Sequence, residues 1–177
     1  MVFIGIISDS KCFQFLNENI CVKDISLIHI NNKSIDNIKN IKFDIIIINK
    51  ELKNLEEKKY LVDNLCTNSK YIVINTDINK NYKLGQKCDK KIITFGLNHK
   101  ANVTISSITE NNILVFLQKN INDKFNNVKE VGEKQIQICK ENRAKIYEVL
   151  IIYIISIINN SPIILKSLEK SNFFGQN

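Results

Sequence analysis

The chain has 177 residues, 44% of them hydrophobic, which suits one domain with one sizeable core and excludes wholesale disorder. Its formal net charge is +7, but Arg143 is the only arginine and the lysines are interspersed with acids, so an arginine-based nucleic-acid surface is not expected. Cysteines 12, 21, 66, 88 and 139 are odd in number and have no CxxC spacing, which argues against zinc and disulfide frameworks and for reduced thiols in a cytoplasmic protein.

The chain opens with "VFIGIIS" (2–8), an apolar run without the basic flank of a signal peptide. It reads as a buried strand. "CFQFLNENI" (12–20) follows with helical spacing, and Asp9 or Ser10 suits its N-cap. "ISLIHI" (25–30), "FDIIIIN" (43–49), "YIVIN" (71–75) and "KIITFG" (91–96) are further β-branched runs, apolar on both faces as in a parallel sheet. Between them, "LKNLEEKKYLVDNL" (52–65) sets Leu52, Leu55, Leu61, Val62 and Leu65 on one helical stripe.

After Gly96 the pattern changes. "ANVTISSI" (101–108) and "EKQIQICK" (133–140) alternate, "NILVFLQKNI" (112–121) lies between them, and "NDKFNNVKEVG" (122–132) reads as a loop. A small antiparallel meander is expected over 101–140. The segment from Ala144 to Ile158 reads as a helix apolar nearly all round, hence buried. Its run "VLIIYIISII" (149–158) is half of the ~20 residues a membrane span needs, so no span is expected. "NNSP" (159–162) ends that helix, and "PIILKSLEK" (162–170) forms a last short one. The fold class expected is α/β in a single domain: a mostly parallel sheet with flanking helices over 1–100, the meander over 101–140, and C-terminal helices over 141–177.

Three stretches, taken in order, resemble the central domain of the Mur ligases, ATP-dependent amide ligases that add amino acids to the peptidoglycan precursor. In "YIVINTD", Asn75 and Asp77 match an Asn-x-Asp-Asp element. In "TFGLNHKANVTISSI", Phe95, Gly96, Leu97, Asn98, Ala101, Val103 and Thr104 match a Phe-Gly-Leu-Asn turn followed by an Ala-Asp-Val-Thr strand. In "KIYEVLIIYIISIINNSPIILKSLEK", Ile146, Tyr147, Val149 and Leu150 hold the packing positions of the family's late helix. "FFGQN" falls where a Gly-Arg element leads into the family's third domain. The resemblance implies a P-loop NTPase-like fold without the flanking substrate-binding and C-terminal domains.

It also implies where nucleotide chemistry would sit. Ser8, Asp9, Ser10 and Lys11 occupy the place of the family's Gly-rich phosphate loop, with Lys11 as the remnant of the phosphate lysine and Asn75 and Asp77 completing a candidate nucleotide site. The interior glycines that turn backbone N–H groups toward phosphate are replaced, and Asp9 would repel the anion. His29 and Asn31 stand where an acidic metal ligand belongs, Asn49 remains from a Thr-Asn strand end, and Lys58 or Lys59 falls near a carbamylated lysine. Ala144, Lys145 and Glu148 replace the adenine-contacting residues, and His99 reads as an exposed turn residue. No catalytic residue, metal ligand or cofactor is assigned. The expectation is a free-standing, degenerate, non-catalytic binding or regulatory module tied to cell-wall precursor metabolism through a protein partner or self-association. The alternative is an ATP- and Mg²⁺-binding acid–amino-acid ligase domain that acts with a partner chain.

Overall fold

Isoleucine and valine runs build the sheet. The computed structural model describes residues 1–38, 40–51, 59–78, 91–139, 142 and 145–169. Its first strands are β1 (Val2–Ile7), β2 (Ile25–His29), β3 (Ile45–Ile48), β4 (Tyr71–Asn75) and β5 (Lys91–Phe95), all parallel and side by side in the order 2-1-3-4-5. Every residue of β3 and β4 is buried, which a parallel sheet covered on both faces requires.

The pleat sorts side chains into two cores. Ile4, Ile6, Ile45, Ile47, Val73 and Ile93 meet α1 (Ser10–Asn19) and α3 (Ile146–Ile158) on one face. Ile7, Ile46, Ile48, Ile72 and Ile74 meet Leu65 and Cys66 of α2 (Lys59–Asn68) and the turn-rich segment carrying Ile35, Ile38 and Phe43 on the other. Helix α3 is buried almost throughout, from Val149 to Ser156, as its all-round apolar sequence predicts. Among the described residues, no helix is long and apolar enough to cross a membrane.

The far side of the sheet adds β6 (Val103–Ile108), β7 (Asn112–Leu117) and β10 (Gly132–Gln137); a small hairpin, β8 (Ile121–Asn122) with β9 (Val128–Lys129), lies between the last two. Here the sequence expectation needs adjustment. β6 with β7 and β7 with β10 are antiparallel, as expected of a meander, but β6 also runs parallel to β5 and joins it through the single pair Phe95↔Val103. The expected meander is therefore an extension of the main sheet. Because β6 starts where β5 stops, its remaining residues project past the ends of the parallel strands. The stretch 122–132, expected to be a loop, contains β9, the second residue of β8 and the first of β10.

Parallel neighbours ordinarily need a crossover of a dozen or more residues. The stagger lets β5 and β6 manage with the turn from Gly96 to Asn102. Asn102 closes it: its Oδ1 accepts from Thr94 N–H and Thr94 Oγ1, and its N–H donates back to Thr94 Oγ1. Helix α3 ends in a Schellman motif, with Asn160 at φ 51°, Asn160 N–H donating to the Ile157 carbonyl and Ser161 N–H to that of Ser156. Pro162 then opens a 3-10 helix (Pro162–Glu169), where a short helix was expected. Residues 52–58, Ala144 and "FFGQN" lie outside the described residues, as do the expectations placed on them.

Candidate functional site

In an open α/β sheet, ligands bind beyond the carboxyl ends of the strands, where neighbouring connections leave on opposite faces. Here that point lies at β1 and β3, since α1 packs on one face and α2 on the other. A hollow of about 380 Å³ opens there, lined by Ser8, Ser10, Asn31, Lys33, Lys50 and Glu51 among others.

The turn from β1 into α1 is short. Ser8 is buried and its Oγ donates to the Asp9 carbonyl; Asp9 is the N-cap, its Oδ1 accepting from Cys12 N–H at 2.8 Å. Ser10 and Lys11 are exposed in the first turn of α1. No residue between Gly5 and Phe13 has positive φ. Gly5 has a packing role, since a Cβ there would lie 2.6 Å from Ile30 Cδ1 and 2.7 Å from Ile46 Cδ1.

Further along the edge, the strand ends are tied by side chains. Asn49 Nδ2 donates to Cys12 Sγ at 3.4 Å, and Asn75 Nδ2 to Asn49 Oδ1 at 2.8 Å. Asn75 Oδ1 accepts from Asp77 N–H, an Asx-type turn that aims the Asp77 carboxylate back over β5. Asp77 then accepts from Leu97 N–H at 2.7 Å, Asn98 Nδ2 at 2.7 Å and Tyr147 Oη at 3.0 Å. Asn98 Nδ2 also donates to Thr76 Oγ1. Desolvation works against the Asp77 charge, but the bonds from Asn98, Leu97 and Tyr147 outweigh it and hold the carboxyl below the ordinary 3.8. Gly96 lies beneath this carboxylate, and a Cβ there would come within 2.8 Å of Asp77 Oδ1.

The remaining candidates take structural positions. His29 stacks on Phe13, with ring centroids 4.6 Å apart, and its Nε2 donates to the Ser8 carbonyl at 3.1 Å. Asn31 makes a turn, its Oδ1 accepting from Lys33 and Ser34 N–H. Burial pushes the Cys12 thiol up to about 11, far from the thiolate a nucleophile needs. His99 is exposed. Lys58 lies outside the described residues, as does the Lys59 side chain. Among the described residues, no group of three or more His, Cys, Asp or Glu is arranged to hold a metal ion.

The candidate nucleotide residues thus fall along one edge in two groups: Ser8 to Lys11 at the β1 end, and Asn75 with Asp77 at the β4 end, bridged by Asn49 and Cys12. Sequence reading missed that bridge and Tyr147, which it treated as a packing residue. The available signal was the asparagine closing each apolar run at positions 49 and 75. No protein-family model and no curated protein sequence matches the chain.

Proposed function

We propose that the chain is a non-catalytic binding module built on a scaffold of the Mur-ligase central type, with its phosphate loop closed. The observation that carries this reading is Asp9. A phosphate loop offers free N–H groups and the positive end of a helix dipole to an anion. At the start of α1 a carboxylate already occupies that place and takes the Cys12 N–H. Along the same edge, Asn49, Asn75, Asp77, Asn98 and Tyr147 direct their bonds at one another. The match of Gly96 and Asn98 to the family's turn fits the lock they form with Asp77. The module acts in cell-wall precursor metabolism by engaging a protein partner or a second copy of itself, and needs no cofactor.

The rival reading, an ATP–Mg²⁺ ligase domain completed by a partner chain, relies on Lys11, Asn75 and Asp77, and on the hollow at the β1 end. Calorimetric titration with Mg–ATP separates the two. The expected result is that Lys11→Ala changes nothing in any nucleotide affinity measured. Micromolar Mg–ATP binding that disappears in Lys11→Ala would overturn the proposal in favour of the ligase reading.

A further inference from the structure

The opposite, amino edge of the sheet carries a second hollow of about 740 Å³, within the size range of small-ligand sites. Lys42, Lys70, Lys91 and Lys124 line it. Asp44 is the only carboxylate among its described lining residues, and its Oδ1 already accepts from Lys70 Nζ at 2.7 Å. Lys42, Lys91 and Lys124 are left without a carboxylate there. Lys91 donates to the neutral Asn126 Oδ1 and lies 5.4 Å from the Tyr71 ring centroid, while Lys124 lies 5.1 Å from that of Phe125. A ring face steadies an ammonium without cancelling its charge.

One wall is built with unusual care for a surface turn. Between β8 and β9, the Asp123 side chain is fully buried, accepting from Phe125 N–H at 2.8 Å, Asn127 N–H at 2.9 Å and Asn127 Nδ2 at 3.0 Å, with Lys129 Nζ at 3.7 Å. Lys124 N–H donates to the Ile158 carbonyl at the end of α3, and Asn126 is held at φ 66°. Asparagine tolerates left-handed backbone in a turn, so this conformation suits the residue that holds it. The effect is to fix Lys124, Phe125 and Asn126 at the rim, with Phe125 63% exposed. Asn159, on the same wall, buries an Oδ1 that meets no donor among the described residues.

We infer that this amino-edge hollow binds a small phosphate-bearing ligand. Uncompensated lysines supply point charges for phosphate oxygens, and the fixed Phe125 ring supplies a flat apolar face beside them. The site is at the other end of the sheet from the residues of the proposed function and does not rest on that reading.

Titration calorimetry of the full chain at low salt tests it, first with inorganic pyrophosphate and then with magnesium-free ATP. Pyrophosphate binding is expected to weaken about tenfold or more in Lys91→Ala and in Lys124→Ala, to persist in Lys91→Arg, and to be untouched by Lys11→Ala. Equal affinities for pyrophosphate and ATP would support the site and make the phosphate chain its whole ligand. Tighter ATP binding, with the gain lost in Phe125→Ala, would support it and make the ligand a nucleotide stacked on the ring. The inference is overturned if neither probe binds at millimolar concentration, or if folded Lys91→Ala and Lys124→Ala bind as the parent does. It is equally overturned if affinity climbs with oligonucleotide length, which would assign the edge to nucleic acid.

Discussion

At the scale of single residues, two glycines, one in β1 and one just past β5, take their meaning from what lies over them. Gly5 lies within β1, where Ile30, Ile46 and Phe43 crowd the space a side chain would fill. Gly96 lies beneath the Asp77 carboxylate, and that closeness lets one aspartate join the ends of β4 and β5 to the start of α3. Gly96→Ala is expected to destabilise the fold by ~1–3 kcal/mol, because either the Asp77 bonds or the turn must shift. Chemical denaturation measures it, and a variant as stable as the parent would refute the lock. That Gly96 and Asn98 form an ordered turn was legible in "TFGLNHK". That the turn closes on Asp77, twenty residues earlier, was not, since it depends on β4 and β5 being neighbours.

At the scale of elements, local chemistry accounts for most boundaries. Asp9 caps α1 as its residue type predicts, and the β-branched runs become strands within a residue or two of the expected limits. The hairpin of β6 with β7 was legible from two strand patterns in succession, but nothing in "ANVTISSI" announces the further single parallel pair with β5. The end of α3 gives a clean test. Asn160 holds a left-handed position that glycine adopts more readily and that alanine resists. Thermal melts should show Asn160→Ala destabilised by ~1 kcal/mol and Asn160→Gly at least as stable as the parent. Equal losses in both would mean that the bond from Lys129 Nζ to Asn160 Oδ1, rather than the backbone, carries the position.

At the scale of the whole molecule, the two edges of the sheet differ in character. The carboxyl edge turns its polar groups on one another, whereas at the amino edge Lys42, Lys91 and Lys124 lack a carboxylate partner among the described residues. The acids that are held show how stability should follow pH. Desolvation opposes the charge on Asp44, Asp77 and Asp123, but their hydrogen bonds and cations outweigh it, so all three lie below the ordinary 3.8 when folded. The unfolded chain therefore binds more protons in that range. Their contribution is fully present above the unfolded value and is lost as pH falls through the folded ones. Urea midpoints should thus hold steady down to about pH 5 and drop below about pH 4. A midpoint flat to pH 2.5 would show that these bonds add nothing to stability.

The single pair between β5 and β6 also bears on how the chain reaches this shape. A strand pair closed by the turn from Gly96 to Asn102 demands little loop entropy, and β6 with β7 closes over a turn shorter still. The β5–β6–β7 corner is thus the part of the sheet that can assemble early from near neighbours in sequence. The pairing of β1 with β3 spans some forty residues and must come later, against a steeper search. Folding should then proceed from the antiparallel side toward β2, so that the carboxyl edge is completed only when its first segment, "GIISDSK", finally docks.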